Sequence, residues 1–482
     1  MELDSKIIAR EREKEQLLKL YARNSSELVS LTGRRRVGKT FLVNALFGTK
    51  LDFELTGLQH GTRPAQLANF SRALARKTGV ASKPTNWQEA FFLLEDHLRR
   101  LEVNRKMVVF FDELPWIATP KSGFLAAFGH FWNTYAERQN ILIIICGSAA
   151  SWMINKVVRH KGGLHNRITQ RIQLDPFNLR ETRAYLEAQN FNYGNYDIAE
   201  LYMALGGVPY YLNALNPDLS PAQNLANVAF DRAGLLHDEF SRLYPALFDG
   251  AERHIEVIRA LSARPYGLDR PAIVAATSLS NGGGLTRILE ELEFSGFIQG
   301  FYLFKQKKRY RRFRLVDEYS NFYLRFIEPN KLESAGAWEA VRNQQSYVTW
   351  RGYAFENLGL RHLFEIKAAL GIAGVATTAS TFTHRGDEHT SGLQIDLLIQ
   401  RADRAINLCE FKFYNAPLRL NKQQLIRLRQ RRDDFRQFTR TDHTLFTTLI
   451  TPYGLVKQPG LGGVVNQSIT LDHLFGDRHF TP

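Results

Sequence analysis

Apolar runs alternate with helical patterns over the first part of the chain. The runs at residues 28–31, 107–111 and 141–146 are almost continuously apolar, as expected for strands buried on both faces of a parallel sheet. Strands that alternate with helices predict an α/β core over residues 1–178. From residue 179 to residue 250 the apolar positions recur at helical spacing, which predicts a helical lid over that core.

The pattern changes again over residues 251–328. Three helical segments are followed by two strand-like runs that flank a basic segment at residues 305–309. This order predicts a winged helix-turn-helix whose third helix enters the major groove of DNA, while the hairpin tracks phosphates. Further basic residues of the hairpin are Arg311, Arg312 and Arg314. The third helix carries acidic residues, namely Glu290, Glu291 and Glu293. A winged helix that contacts another protein therefore stays open as the alternative.

Strand patterns return at residues 393–399 and 406–413, and a basic helix is predicted at residues 422–440. Residues 329–482 are thus predicted to form a last α/β domain. The length of 482 residues agrees with several domains. The fold class expected from the whole pattern is α/β multidomain.

Composition narrows the functional classes. No apolar run approaches the roughly 18 residues that span a bilayer, and the charged amino terminus does not resemble a secretory signal. Cys146 and Cys409 lie in apolar runs, which indicates small buried side chains in a reducing compartment. Two cysteines and scattered histidines do not form a recognised zinc cluster. We therefore expect a cytoplasmic protein without a membrane partner.

The charge is strongly basic. Lys and Arg number 63 against 48 Asp and Glu, a formal net charge of +15. An excess of this size attracts polyanions, and DNA is the first partner to consider. Since many soluble proteins are basic, the position of the charge matters more than its sum.

The clearest motif directly follows the first apolar run. Residues 33–40 read GRRRVGKT, a match to the phosphate loop G-x-x-x-x-G-K-[ST] between a strand and a helix. Gly33 and Gly38 let backbone N–H groups wrap around the phosphates of ATP. Lys39 is expected to reach the β- and γ-phosphates, and the Thr40 hydroxyl to bind Mg²⁺. The other residues predicted to contact the nucleotide are Arg34, Arg35, Arg36, Val37 and Phe41.

A second motif supports ATP binding. Residues 106–116 read KMVVFFDELPW, a buried strand that ends in Asp112 and Glu113. The carboxyl end of such a strand lies beside the phosphate loop in open α/β sheets. Asp112 is then placed to hold Mg²⁺, and Glu113 to orient or deprotonate the attacking water. Because Glu113 has no role in static recognition, its presence favours hydrolysis over binding alone.

Two further residues are candidates for catalysis. Ser148 follows the third buried strand and could hydrogen-bond the attacking water or the γ-phosphate; an ordinary turn residue is the alternative. Arg167 could approach a γ-phosphate and neutralise transition-state charge. A solvated arginine is the alternative reading, and it suits Arg171 better than Arg167. An arginine finger also implies a homo-oligomer.

The last domain carries a possible second active site. Asp396 lies on one predicted strand, and Glu410 and Lys412 lie two positions apart on the next, so both point to the same face. If the strands form a hairpin, Asp396 and Glu410 could chelate Mg²⁺ while Lys412 positions water for attack on a phosphodiester. Glu356 could supply a further carboxylate. A pair of surface strands joined by salt bridges is the alternative.

The order of these motifs resembles that of the prokaryotic AAA-type ATPases first noted in archaea, within the wider signal-transduction ATPase group. Many of them carry a C-terminal domain similar to the PD-(D/E)xK nucleases. The resemblance covers nearly the whole chain and implies a P-loop NTPase sheet with a helical lid, a winged helix and a restriction-endonuclease-like last domain. It also implies ATP and Mg²⁺ as cofactors.

The resemblance assigns roles to individual positions. Lys39 and Thr40 match Walker A, Asp112 and Glu113 match Walker B, and Ser148 stands at the sensor position. Residues matching the family's other functional positions are Arg167, Glu356, Asp396, Glu410 and Lys412. Two positions depart from the pattern: Asn166 replaces the glycine before the arginine, and Ile395 replaces the proline of the nuclease motif.

The sequence thus predicts an ATPase whose nucleotide state controls a DNA-contacting region and a metal-dependent nuclease-like domain. Two alternatives remain open. One is a DNA-binding regulator that uses ATP only as a switch, with an inactive last domain. The other is a signalling ATPase that oligomerises and uses the winged helix as a protein interface.

Overall fold

The computed structural model describes residues 7–101, 104–119, 121–158, 164, 167–306, 310–331, 336–386 and 392–476. Asn166 and residues 307–309 of the basic segment, which both entered the sequence predictions, lie outside these ranges.

The amino-terminal region is built on a five-stranded parallel sheet in the order β2-β3-β4-β1-β5. The strands are β1 (Glu27–Thr32), β2 (Leu51–Thr56), β3 (Met107–Asp112), β4 (Ile141–Gly147) and β5 (Gln170–Gln173). The helices are α1 (Glu11–Ala22), α2 (Lys39–Phe47), α3 (Arg63–Thr78), α4 (Trp87–Arg99), α5 (Leu114–Ile117), α6 (Phe124–Thr134) and α7 (Ala150–Met153). The predicted parallel α/β sheet is confirmed.

The continuous apolar runs are explained by cores on both faces of this sheet. Along β3, Val108 and Phe110 pack into a cluster with residues of α1 and α2. The intervening Val109 and Phe111 pack into a second cluster with residues of α3, α4 and α6. Because side chains alternate between faces along a strand, a strand covered on both faces needs an apolar residue at each position.

Short helices follow the sheet. They are α8 (Leu179–Glu187), α9 (Asn195–Leu205), α10 (Pro209–Leu212), α11 (Pro221–Leu225) and α12 (Glu239–Leu243). Helix α8 begins with a capping box in which the Asn178 side chain accepts from the Glu181 N–H and Glu181 accepts from the Asn178 N–H. The predicted helical character of this region is confirmed.

Three helices and a small antiparallel sheet come next. The helices are α13 (Ala251–Ser262), α14 (Arg270–Ala276) and α15 (Gly283–Phe294), and the strands, in the order β6-β8-β7, are β6 (Leu268–Asp269), β7 (Ile298–Phe301) and β8 (Arg312–Leu315). We call residues 251–315 the three-helix unit. On α15 the apolar residues at helical spacing are all buried: Leu285, Ile288, Leu289 and Leu292.

The carboxyl-terminal region contains a mixed sheet in the order β13-β12-β11-β10-β9. Its strands are β9 (Thr377–His384), β10 (Leu393–Arg401), β11 (Ala405–Phe411), β12 (Thr444–Ile450) and β13 (Gln467–Ile469). The helices around it are α16 (Glu318–Phe322), α17 (Ala337–Arg342), α18 (Gln345–Arg361), α19 (Leu363–Ala369), α20 (Lys422–Thr439) and α21 (Leu471–Leu474). Strands β10 and β11 are antiparallel, with Leu397 opposite Cys409, so the predicted hairpin is confirmed.

One apolar cluster joins the later regions. It runs from the α8–α12 region through the three-helix unit to helices α16 to α19 and α21, and it therefore crosses the predicted boundaries at residues 250 and 328. Within the described residues, no helix combines the length and apolar character needed to traverse a bilayer.

Candidate functional site

The phosphate loop connects β1 to α2 through residues that need special backbone conformations. Gly33 has a φ of 145° and Gly38 a φ of 91°, values that L side chains rarely adopt. A Cβ at Gly33 would also collide with the carbonyl of Leu174. The loop is thereby fixed in shape before the first turn of α2, whose N–H groups attract anions.

The polar side chains of the two Walker motifs come together at this loop. The Lys39 ammonium is buried and donates to the carbonyls of Gly33 (2.8 Å) and Arg34 (3.0 Å). The Thr40 hydroxyl donates to Oδ2 of Asp112 at 2.8 Å. A hydroxyl and a carboxylate so close together are oxygen ligands of the kind that Mg²⁺ prefers. These two side chains therefore fit an Mg²⁺ ion that would also contact phosphates.

Glu113 is held in a defined position by its neighbours. Its φ of 47° is unusual for a residue other than glycine, and such backbone conformations cluster at functional sites. The Ser148 hydroxyl donates to Oε1 or Oε2 of Glu113, both at 3.0 Å, and the Ser148 N–H donates to Oε2 at 3.1 Å. In this arrangement Ser148 orients the predicted base, whereas the sequence suggested a contact with water or the γ-phosphate.

The three arginines of the loop turn their side chains to other parts of the protein. Arg34 forms a buried ion pair with Asp317, just before α16. Arg35 lies 6.0 Å above the ring of Trp116. The side chain of Arg36 pairs with Glu239 of α12. We predicted that these residues contact the nucleotide. Their side chains are engaged elsewhere, so such contacts would come from their backbone N–H groups.

The Arg34–Asp317 pair is strongly coupled. Burial by itself would raise the pKa of Asp317, but the charge of Arg34 and hydrogen bonds from Ser320 outweigh it and hold that pKa below its ordinary value. The same attraction raises the pKa of Arg34 against the effect of burial. Both groups are therefore charged at neutral pH.

The remaining predicted loop contacts differ in exposure. The Val37 side chain is buried, and its carbonyl accepts a hydrogen bond from Nη2 of Arg10 at 3.2 Å. The Phe41 side chain, on the first turn of α2, is 58% exposed. The Val37 side chain therefore packs in the core, while the Phe41 side chain is accessible to a ligand or partner.

Arg167 lies away from the nucleotide site of its own chain. Its Nε donates to Oδ1 of Asn133 near the end of α6, at 2.9 Å. Nearby, the N–H of Thr169 donates to the carbonyl of Leu28 at the start of β1. Since β5 runs parallel to β1, Arg167 lies at the amino edge of the sheet, opposite the phosphate loop. It therefore does not approach the γ-phosphate within one chain.

The carboxyl-terminal candidates line a cleft of about 550 Å³. Asp396 lies next to the last paired position of the β10–β11 ladder, and its Oδ2 accepts from the N–H of Phe411 at 3.4 Å. Glu410 forms ion pairs with Lys412 at 2.9 Å and with Arg431 of α20 at 3.4 Å. The structure thus brings Glu356, Asp396, Glu410 and Lys412 to one cleft.

The carboxylates of this cleft crowd one another. Burial and the nearby Asp396 raise the pKa of Glu356 to about 9. Burial and Glu410 raise the pKa of Asp396 to about 6. A cation would relieve this crowding, so the pair Asp396 and Glu410 fits Mg²⁺ in charge. Within the described residues, no group of three or more His, Cys, Asp and Glu is arranged to hold a metal ion.

The three-helix unit changes the interpretation of its charged residues. On α15, Oε2 of Glu291 accepts from Nε2 of His254 at 2.8 Å, and Glu293 accepts from Nη2 of Arg311 at 2.5 Å. Two of the acidic residues that argued against DNA are therefore engaged inside the protein. Arg314, a basic residue of the hairpin that was predicted to track phosphates, is buried at 8% exposure.

Comparison with known proteins defines the class. Residues 7–215 match the family described as an ATPase domain predominantly from Archaea. This part of the chain is therefore an ATPase domain of the archaeal type, as its phosphate loop and acidic strand end indicate.

Individual proteins that are similar to this chain share less than a quarter of its residues. The chain is 22% identical over 390 residues to an uncharacterized protein of Methanocaldococcus jannaschii, covering 79% of this chain and 82% of that protein. A Walker-type ATPase of Pyrococcus abyssi aligns with 67% of this chain and 97% of its own, at 18% identity and a TM-score of 0.48. The ORC2 protein of Aeropyrum pernix, solved with ADPNP and ADP, aligns with 71% of this chain and 98% of its own, at 15% identity and a TM-score of 0.41.

The contacts that tie the loop to distant segments have no counterpart among the sequence predictions. Arg34 and Asp317 are 283 positions apart, and the pattern around Asp317 gives no sign of the pairing. Arg10 is likewise absent from the sequence predictions; it donates to the Val37 carbonyl, and its guanidinium lies 4.5 Å from the ring centre of Phe177. The run of arginines in the loop was the available signal, because three adjacent cations exceed what a phosphate loop requires.

Proposed function

We propose that the ATPase domain hydrolyses ATP and that its nucleotide state controls a carboxyl-terminal domain that binds DNA and cleaves it with Mg²⁺. The observation that carries the first part is the convergence of Lys39, Thr40 and Asp112 at the loop, with Glu113 fixed by Ser148. Bound there, Mg²⁺ would supply charge stabilisation for phosphoryl transfer. Glu113 accepts a proton from the attacking water, and the loop N–H groups orient the phosphates.

Support for coupling comes from two consecutive ion pairs. Arg34 of the loop binds Asp317, and the adjoining Glu318 lies 2.9 Å from Nε of Arg361. Arg361 ends α18, the helix that also carries Glu356. A shift of the loop upon nucleotide binding therefore has a short route to the carboxylate cleft, through residues whose charges are too buried to separate cheaply.

Support for DNA comes from charge and from fold. The order of three helices and an antiparallel sheet in residues 251–315 is that of a winged helix. Glu291 and Glu293 are engaged within the unit, which removes part of the repulsion that a phosphate backbone would meet. In the last domain, Lys412 emerges beside Glu410, where it would position water or a phosphate oxygen next to the metal site.

The ATPase is tested with purified full-length protein. Lys39→Ala should abolish ATP binding in calorimetry, because Lys39 is the loop side chain expected to reach the β- and γ-phosphates. Glu113→Gln should keep ATP binding and lower the turnover number by about 10²- to 10⁴-fold, the usual contribution of a general base. Wild-type turnover by Glu113→Gln would disprove the role given to Glu113.

The nuclease is tested on supercoiled plasmid with Mg²⁺ or Mn²⁺. Wild type should nick the plasmid, and Lys412→Ala should not. Lys422→Ala is the matched control, because Lys422 begins α20 in the same domain and does not line the cleft. Equal cleavage by wild type and Lys412→Ala would place the activity elsewhere and leave a DNA-binding regulator as the better description.

Oligomerisation is favoured by one observation, the position of Arg167 at the edge of the sheet away from its own loop. There it is available to a neighbouring copy, whose γ-phosphate it could approach. Size-exclusion chromatography with and without ATP tests this. If wild type and Arg167→Ala are monomers of equal ATPase activity, the proposed trans role is wrong.

A further inference from the structure

A second cleft, of about 430 Å³, lies between the three-helix unit and the carboxyl-terminal sheet. We call it the arginine cleft. Its basic residues are Arg264, Arg312, Arg314 and Arg385. Four residues line both the arginine cleft and the carboxylate cleft: Tyr266, Glu356, Gln394 and Asp396. The two clefts therefore adjoin at the carboxylates, one on each side of them.

Arg314 is the most unusual residue of the arginine cleft. It is 8% exposed, and its hydrogen-bond partner is Oε1 of Gln299, 2.7 Å from Nη2 and 3.3 Å from Nε. Within the described residues it forms no ion pair with a carboxylate. A buried guanidinium normally has such a partner, because its burial is otherwise costly. The side chain is thus poised to receive an anion.

The charge of Arg314 strengthens this interpretation. Burial lowers the pKa of Arg314 to about 10, and the nearby Glu356 partly offsets that effect, so the guanidinium stays charged at neutral pH. The exposed Arg264 and Arg385 add to the positive potential of the cleft.

Aromatic side chains lie among these arginines. Tyr266 is 47% exposed, and its ring meets that of Tyr353 edge to face at 5.5 Å. Phe301 also lines the cleft, and the Cζ atom of Arg314 lies 4.8 Å from the centre of the Phe301 ring. A positively charged groove with aromatic rings is the arrangement that binds unpaired strands, since phosphates meet the cations and bases stack on the rings.

We propose that the arginine cleft binds one single strand of nucleic acid, with a phosphate on Arg314 and Arg385 and a base against Tyr266. The cleft is of the size that encloses small ligands, which excludes an intact duplex. The strand would continue to Asp396 at the border of the carboxylate cleft. This inference deepens the proposed function, on which it rests, because it specifies that an unpaired stretch, such as negative supercoiling opens in a plasmid, reaches the carboxylates.

Binding is measured by fluorescence anisotropy of labelled 20-mers, with full-length protein, EDTA and no ATP. EDTA removes cleavage, so that binding is tested apart from the nuclease. The probes are oligothymidine, oligouridine, a duplex of mixed sequence and labelled thymidine monophosphate. We expect either 20-mer single strand to bind more tightly than the duplex and the mononucleotide.

Variants locate the site. Tyr266→Ala should weaken binding of the single strand by about 5- to 150-fold, the usual range for losing one stacked base. Arg385→Ala should lower the slope of log affinity against log salt by about 0.7, as expected for one phosphate contact on a single strand. Arg314→Gln should act in the same direction. Since Arg314 is buried, the melting temperature of Arg314→Gln is compared with that of wild type. If Arg314→Gln is unfolded, the Tyr266→Ala and Arg385→Ala variants test the site.

Arg404→Ala is the matched control. Arg404 lies in the turn between β10 and β11, is paired with Asp442 and has a side chain that is 72% exposed. It does not line the arginine cleft, so this variant should bind with wild-type affinity and only a small change in salt slope.

Three outcomes would contradict the proposed single-strand site. Wild type could bind single strands while Tyr266→Ala and Arg385→Ala bind them equally well and with the wild-type salt slope. The arginine cleft is then not the binding site, although the protein still binds DNA. Preference for the duplex or for the mononucleotide also overturns the inference. If wild type binds none of these probes, both the inference and the DNA part of the proposed function fail, whereas the ATPase remains.

Discussion

The phosphate loop and the carboxylate cleft handle charge in opposite ways. At the loop, Arg34 and Arg36 have carboxylate partners, and Glu113 is held by two donors of Ser148. In the carboxylate cleft, Glu356 and Asp396 are half-buried near each other and their pKa values rise. The first region is organised by its own protein contacts, whereas the second contains an electrostatic conflict that a bound cation or phosphate-metal complex would relieve.

This difference has a consequence for stability. Removing a charged group from the balanced region should leave its partner buried and unpaired, and should destabilise the fold. Removing a carboxylate from the crowded cleft should relieve repulsion and stabilise the fold. The sign of a mutational effect therefore distinguishes the two regions.

The largest effect is expected for Arg34→Met. It leaves the fully buried carboxylate of Asp317 without its cation, and breaking a buried pair in this way costs about 3–5 kcal/mol. The free energy of unfolding is measured by urea titration at pH 7. Arg35→Met is the matched control in the same loop, because Arg35 contacts the Trp116 ring rather than a carboxylate, and it should cost less than about 1 kcal/mol.

The double variant Arg34→Met with Asp317→Asn separates charge from packing. Asparagine keeps an oxygen that can accept from the N–H of Ser320 and cap α16. Much of the lost stability should therefore return. If Arg34→Met alone is as stable as wild type, the loop is not tied to α16 through a buried charge, and the proposed coupling route loses its first step.

A second prediction concerns His362, which lies between the two regions at the end of α18. Its Nδ1 donates to the carbonyl of Leu358, and its Nε2 accepts from the N–H of Leu179. Burial lowers its pKa to about 4. The unfolded chain binds this proton near pH 6.5, so stability is full above that pH and is lost as the pH falls toward 4. The loss amounts to about 3 kcal/mol.

His362→Gln tests this by removing the titration while keeping a side chain that can accept from Leu179. The free energy of unfolding is measured between pH 7 and pH 4 for both proteins. Wild type should lose about 3 kcal/mol more than the variant over this window. The difference isolates His362, because Asp396 and Glu356 titrate in both proteins. Parallel pH profiles would show that His362 is already protonated or solvated in the fold.

The sequence predicts those parts of both regions that depend on neighbouring positions. Residues 33–40 fix the loop, because a strand, two glycines and a helix start are local features. The hairpin of β10 and β11 follows from two apolar runs with a short basic turn. By contrast, the pairing of Arg34 with Asp317 and the position of Arg167 depend on how distant segments pack. No periodicity encodes that packing.

The surroundings of individual charged residues likewise depend on packing that the sequence does not reveal. The sequence predicts that Arg311, Arg312 and Arg314 belong to the hairpin that tracks phosphates. Arg314 is instead buried and bonded to Gln299 of β7, and Arg311 pairs with Glu293. A run of arginines predicts affinity for anions, but only the tertiary structure decides which arginine meets a ligand and which meets a carboxylate.

The smallest effect, and the one of opposite sign, is expected for Asp396→Asn. Like charges that face each other across neighbouring strands destabilise a sheet by up to about 1 kcal/mol, and asparagine can still accept from the N–H of Phe411. In EDTA at pH 7 the variant should therefore be more stable than wild type by about that amount. Because burial and Glu410 raise the pKa of Asp396 to about 6, the gain should shrink as the pH falls below 6 and the wild-type carboxyl becomes neutral.

Mg²⁺ should reverse the order of the two proteins. Added MgCl2 stabilises wild type by binding the folded carboxylates, whereas Asp396→Asn lacks one of them and gains little. Asp403→Asn is the control on the same hairpin, since Asp403 is exposed and paired with Arg401, and it should respond to Mg²⁺ as wild type does. A less stable Asp396→Asn in EDTA would mean that Asp396 is compensated by its surroundings. The carboxylate cleft would then be a balanced site like the phosphate loop, and the contrast between the two regions would disappear.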